Sequence, residues 1–182
     1  MIFHFLSISN LNTSKGTFVL LDAAELLLKQ TTNFHIHFVG APTAEISAER
    51  MHQEIASRGL QEVVTYHGKQ YDADKEARFA EADCFVHPTL DDCFPLVILE
   101  AMQHSLPVIA TPVGAIPDMV IDGETGIIVS VQDVEILAEA MNRLTKNKKL
   151  REMCISGKKR VETLFSEDNI INHLVEILSE NV

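Results

Sequence analysis

The sequence has no long apolar run. Its longest stretches, such as FPLVIL at 94–99, are a handful of residues and far short of a bilayer span. The opening residues lack the charged start, apolar core and cleavage site of a secretory signal, so none is expected. Cysteine is scarce: Cys84, Cys93 and Cys154 are odd in number and unclustered, which argues against a disulfide framework and for reduced thiols in a cytoplasmic setting. Basic charge is scarce as well, and a formal net charge of −11 excludes a general affinity for nucleic acid, whose phosphates require a basic face. The dinucleotide fingerprint G-x-G-x-x-G and the triphosphate loop G-x-x-x-x-G-K-[ST] are both missing from the first turn, which demotes a dehydrogenase or an ATPase.

What remains is a globular composition. The 182 residues are 46% hydrophobic and 23% charged, enough for one domain with a real core and no sign of disorder. Charge is unevenly spread: no Lys or Arg lies between Arg78 and Arg143, where eleven Asp or Glu fall. Residues 143–160 then carry eight basic residues against one acid, Glu152. The plainer account is a solvated face of two late helices, and the sharper one is weak attraction to anionic lipid headgroups.

Strand-like and helix-like patterns alternate with short connections. Strands are predicted at 2–9, 34–40, 63–68, 83–89, 106–112 and 125–130. Helices are predicted at 18–30, with Phe18, Leu21, Ala24, Leu27 and Leu28 on the apolar face, and at 44–58. Others follow at 72–82 behind an Asp cap, at 94–105 with Pro95 in its first position, and at 133–146, 147–164 and 167–180, besides a short helical turn at 114–121. This rhythm predicts an α/β fold, a doubly wound parallel sheet of about six strands with helices on both faces, as a single domain. Such sheets bind ligands beyond the C-terminal ends of their strands.

Two of those ends carry candidate chemistry. Lys15-Gly16 opens the first helix, where free backbone N–H groups, the helix dipole and an ammonium suit a diphosphate, although a tight-turn Gly beside a surface Lys has the same pattern. DDCFPLVILE at 91–100 runs from a strand end into a helix that is apolar from Phe94 to Met102 except for Glu100. A carboxylate there needs hydrogen-bond donors, and a ribose diol offers two, while a neighbouring loop's backbone would serve as well.

The ordered set K-G, G-A-P, Y-H-G, D-x-F-V-x-P, D-x-F-P-L-V-I-L-E-A-M, P-V-I-A-T-x-V-G-x-I-P-D and D-G-x-T-G-I-I-V resembles the C-terminal half of retaining glycosyltransferases of family 4, over nearly the whole chain. The resemblance implies one Rossmann-like half of a GT-B fold and a nucleoside-diphosphate sugar, most commonly of uridine, as donor. It implies a missing N-terminal domain that holds a saccharide or lipid-linked acceptor, cytoplasmic work with peripheral membrane contact at most, and no obligatory metal. Of the family's E-x7-E pair, Glu100 corresponds to the ribose ligand and Asp92 to the sugar-holding Glu, one methylene shorter, with Cys93 where Gly is common. Backbone groups around Phe94, Leu96 and Val97 would face the donor, Pro95 being unable to donate. Lys15 corresponds to the Lys of the diphosphate clamp, and Asn10 stands in place of its Arg. Gly40, Gly68 and Lys69 match the base-seating turns. Asp92 and Lys15 are thus the expected catalytic residues.

The other polar residues have plainer readings. His35 and His37 are expected as satisfied histidines in an apolar setting, not metal ligands, and Asp72 and Asp74 as cap residues. His67 and His87 near strand ends are candidate ligand contacts, Cys93 a small space-filler before a reactive thiol, Cys84 core, and Asp118 equally a helix-start residue or a donor contact. Alternatives to the transferase are a non-catalytic nucleotide-sugar-binding module and a GT-B epimerase acting on the donor.

Overall fold

The computed structural model describes residues 2–147, 152–166, 168–172 and 175. In chain order it forms β1 (Phe3–Ile8), a 3-10 turn (Thr13–Lys15), α1 (Thr17–Leu28), β2 (Phe34–Val39), α2 (Ala48–Ser57), β3 (Val64–Tyr66) and α3 (Asp72–Glu81). Then come β4 (Cys84–His87), α4 (Leu96–Gln103), β5 (Val108–Ala110), α5 (Ile116–Met119), β6 (Gly126–Ile128), α6 (Val134–Lys146) and α7 (Met153–Leu164). The strands make a six-stranded sheet in the order β3-β2-β1-β4-β5-β6, every pairing parallel. The predicted doubly wound Rossmann-like sheet is therefore present, and its order reverses between β1 and β4, the crevice where such sheets take ligands.

Each face of the sheet has its own core. On one, Phe3, Phe5, Phe34 and Ile36 meet α1 and α6, which bury Leu20, Leu21, Ala23, Ala24, Leu27, Leu137, Met141 and Leu144. Helix α1 buries a wider arc than its spacing suggested: Leu20 and Ala23 are fully buried, while Phe18 and Leu28 are only half-buried. On the other face Leu6, Phe85, Val108 and Ala110 pack with Phe79, Ile98, Met102 and Val161 from α3, α4 and α7. Strand β5 is buried on both faces, as its near-continuous apolar run predicts, and β4 is too despite His87; in β6, expected to be buried likewise, Ile128 is half-buried.

Several boundaries differ from the predicted ones, each for a local reason. Helix α2 starts at Ala48, not 44, because Thr43 Oγ1 accepts from the Ile46 N–H to form a turn and Ser47 then caps the Arg50 N–H. The residue that caps α3 is Tyr71 and not an Asp; Asp72 and Asp74 lie inside its first turn, where their charge favours the helix dipole. Pro95 precedes α4 as its cap residue with ψ 94°, so Leu96 takes the first helical position. Of the helix expected at 147–164, Met153–Leu164 is helical and residues 148–151 lie outside the described residues, as does most of the helix expected at 167–180.

The histidines contradict the expected apolar setting. His4, His35, His37 and His67 line one sheet face: His37 joins His4 at 3.0 Å and His67 at 2.9 Å, and His35 meets Thr65 Oγ1 at 2.8 Å. Burial, then the neighbouring His35, His67 and His4 and the Arg78 charge, lower the His37 pKa to about 3. His37 therefore stays neutral in the folded chain, whereas an unfolded one takes up a proton near its ordinary value of 6.5. Stability should be fully present above pH 6.5 and decline as pH falls toward 3. Thermal melts are expected to give a lower Tm at pH 5 than at pH 7, with a smaller drop in His37→Gln; equal drops would disconnect this histidine from acid sensitivity.

Candidate functional site

The Ser14 carbonyl accepts from the Leu90 N–H at 2.7 Å, the Asp91 N–H at 3.2 Å and the Thr89 hydroxyl at 3.0 Å. These bonds tie the turn after β1 to the loop after β4, across the switch point. Gly16 makes the approach feasible, since its φ is 75° and an added Cβ would lie 2.0 Å from the Pro88 carbonyl oxygen. The loop is held from its other side as well. Thr111 Oγ1 donates to the Thr89 carbonyl at 2.5 Å, Ala115 N–H donates to Cys93 at 2.9 Å, and a Cβ on Gly114 would come within 2.1 Å of the Asp92 carbonyl oxygen.

So clamped, the loop sets Asp92 against Lys15. The Lys15 ammonium lies 2.9 Å from Asp92 Oδ2 and donates to the Asp91 carbonyl at 2.8 Å. His87, at the end of β4 and 2% exposed, reaches the same Oδ2 from Nε2 at 3.2 Å. Burial alone would raise the Asp92 carboxyl, but hydrogen bonds from Lys15 and His87 with the Lys15 charge hold it below the usual carboxylate range. Burial lowers His87 despite Asp92, which makes it a neutral imidazole. A carboxylate can only accept, so the proton sits on Nε2, and Nδ1 is left as a buried acceptor without a partner among the described residues.

Helix α4 continues the site. No side chain caps its start, and while the Ile98 N–H donates to the Pro95 carbonyl at 3.0 Å, the Leu96 and Val97 N–H groups are open to a ligand beside exposed Phe94 and Leu96, half-buried Val97 and buried Pro95. Glu100 stands one turn on, its Oε2 paired with the Lys75 ammonium of α3 at 2.6 Å. Sequence reasoning missed this partner, because nothing in the spacing of residues 75 and 100 announces a contact made only by packing α3 on α4. It also named His87 without its link to Asp92.

Gly40 and Gly68 come together, the Gly40 N–H donating to the Gly68 carbonyl at 2.9 Å, while the Tyr66 hydroxyl donates to the Gly40 carbonyl at 2.9 Å. A Cβ on Gly40 would strike the Ser9 carbonyl oxygen at 1.8 Å. Asn10 is exposed on the first turn, and the Lys69 ammonium lies over the Tyr71 ring at 4.5 Å. Neither shares a hydrogen bond with Lys15, Asp92 or Glu100 among the described residues. Cys93 is exposed and fills no space, contrary to expectation, and it is the Cys93 carbonyl that is engaged. Cys84 is core, with burial pushing its thiol pKa well up. Asp118 sits in the first turn of α5, and Arg160 from the basic stretch donates to the carbonyls of Asp118 and Met119. Among the described residues, no three His, Cys, Asp or Glu group to hold a metal, and no helix is long and apolar enough to cross a membrane.

A cation, two carboxylates and a helix start without a side-chain cap thus lie at the ligand end of a Rossmann-like sheet. The profile of the family described as glycosyl transferases group 1 matches residues 3–161, and the chain belongs to that family. It is 29% identical over 161 residues to the capsular polysaccharide biosynthesis glycosyltransferase CapM of Staphylococcus aureus, covering 88% of this chain and 41% of CapM. The chain thus spans less than half the length of that curated relative. Sucrose-phosphate synthase from Thermosynechococcus elongatus superposes with a TM-score of 0.85 at 28% identity, over 98% of this chain and 45% of that one. Anabaena Alr3699/HepE in complex with UDP gives 0.88 at 24% identity, over 98% and 49%, a likeness of fold.

Gly114→Ala tests the clamp. Strain from the left-handed φ of 54° and the clash with the Asp92 backbone should cost about 1–3 kcal/mol in chemical denaturation and displace the loop. A variant as stable as the parent would mean that the loop adjusts freely.

Proposed function

We propose that this chain is the donor-binding domain of a retaining glycosyltransferase of family 4, facing a separate acceptor-binding domain across a GT-B cleft. The observation that carries the proposal is the contact of Lys15 with Asp92 at the switch point, beside the open N-terminus of α4. In this reading the diphosphate of a nucleotide sugar lies against Lys15 and the backbone N–H groups of Leu96 and Val97. The base rests on the Gly40 and Gly68 turns near Lys69, and Glu100 accepts from the ribose hydroxyls. The carboxylate of Asp92, kept ionised by its neighbours, accepts from hydroxyls of the transferred sugar. As the bond between the anomeric carbon and the diphosphate breaks, negative charge grows on the leaving group. Lys15 and the α4 dipole stabilise that charge, so the reaction has no obligatory need of a metal. Asn10 contributes a neutral donor where an Arg would contribute charge.

The transferred group in this proposal is a hexose or N-acetylhexosamine. UDP is the first carrier to test, the family resemblance favouring uridine. The proposed acceptor is a saccharide or lipid-linked glycan in surface polysaccharide synthesis; the name of CapM, a capsular polysaccharide biosynthesis glycosyltransferase, supports the polysaccharide setting. Such work belongs at the cytoplasmic face of a membrane, where exposed Lys158 and Lys159 would meet anionic headgroups.

Calorimetric titration with UDP, GDP and ADP tests the site. One nucleotide should bind selectively, and Glu100→Ala should cost on the order of 1.5–3 kcal/mol, a loss of more than tenfold. Absence of binding by all three would remove the basis of the proposal. The chain by itself is expected to bind donor but transfer little, which a radiolabelled-sugar assay with and without an acceptor-binding domain would check; robust transfer by these 182 residues alone would contradict it.

A further inference from the structure

We infer that Lys75 is a positioning residue of the donor site, holding the Glu100 carboxylate aligned as an acceptor for the ribose diol; the inference rests on the donor-site reading above. Lys75 lies in the first turn of α3, at the end of the sheet where the ligand crevice opens, and its ammonium is 2.6 Å from Glu100 Oε2. Among the described residues this hydrogen bond takes Oε2 alone, so Oε1 of the same carboxylate is available to a ligand. The Glu100 side chain is 41% exposed and that of Lys75 only 25%, so the carboxylate is the more open partner of the pair.

A purely structural role is already filled. One residue along α3, Glu76 meets His104, the residue that ends α4, at 2.9 Å, and Phe79 stacks flat on the His104 ring at 4.8 Å between centroids. These contacts fasten α3 to the end of α4 without engaging the Glu100 carboxylate, and the Lys75 ammonium adds to them from 5.8 Å above the Phe79 ring centroid. Electrostatics supply the need that Lys75 meets. The stretch from residue 79 to 142, which includes α4 and the loops on either side of it, holds no Lys or Arg, yet it presents Asp91, Asp92 and Glu100 to an incoming diphosphate. Compensating cations must come from other elements. Lys15 from the first turn neutralises Asp92, and Lys75 from α3 neutralises Glu100. Without Lys75, an uncompensated carboxylate would be free to rotate away from the diol and would repel the phosphates.

The test is equilibrium titration of the chain with UDP and 2′-deoxy-UDP, or with the GDP or ADP pair if the chain selects that base. Lys75→Met is expected to weaken the ribonucleotide about tenfold and the 2′-deoxy compound about twofold or less. In a Glu100→Ala background the same substitution should change affinity by less than about twofold, because the carboxylate through which Lys75 acts is gone. Lys75→Arg should restore binding to within about threefold, and Glu76→Gln should leave it unchanged. Unchanged or tighter binding by Lys75→Met would overturn the inference, since Lys75 would then be a competitor for Glu100. An undiminished loss in the Glu100→Ala background would overturn it too, by showing that the ammonium acts on the nucleotide directly. If the parent chain takes up no nucleotide, the donor-site reading itself fails and this inference with it. Binding that is lost in Glu100→Ala but indifferent to Lys75 overturns the inference alone.

Discussion

The Ser14 carbonyl receives three donors from the loop after β4, and the site depends on that knot. It sits where the strand order reverses, so the two segments it joins come from neighbouring strands whose connections leave in opposite directions. A lysine and an aspartate 77 residues apart in sequence are thereby placed within hydrogen-bond distance. The knot requires backbone approaches that tolerate no Cβ at Gly16 or Gly114. These two glycines are consequently steric requirements of the site as much as turn formers.

Electrostatics then follow from the uneven distribution of charge along the chain. The central part of the chain contributes carboxylates without cations, and the ammonium groups of Lys15 and Lys75 arrive from elements earlier in the sequence. Each carboxylate is held by a partner on a different element, a means of keeping two negative side chains beside a phosphate site. His87 adds a second, neutral hold on Asp92 from within the core, at the cost of a buried ring nitrogen without a partner among the described residues. A shortened carboxylate gripped by two donors is a stiffer acceptor than a longer one would be.

The histidines of β1–β3 have a separate physical character. His35, His37 and His67 are hydrogen-bonded on this face, and burial lowers the pKa of each. This part of the fold is therefore held by groups whose protonation opposes folding, whereas the neighbouring apolar core of Leu6, Phe85 and Val108 is indifferent to pH.

Alternation of apolar strands with helical spacing was enough to establish the parallel sheet, because both periodicities are local and the crossover rule leaves few topologies. Ordered motifs also marked Lys15, Asp92 and Glu100 as a group. Local signals failed where a boundary depended on a side chain folding back, as at Thr43, or where helical burial depended on a second helix, as with Leu20 and Ala23 under α6. Tertiary structure alone decided that His87 would hold Asp92, that Lys75 would reach Glu100 and that His37 would lie among imidazoles rather than aliphatic side chains. These pairings join residues on different elements, and their distances are set by how strands and helices pack, which no spacing along the chain encodes.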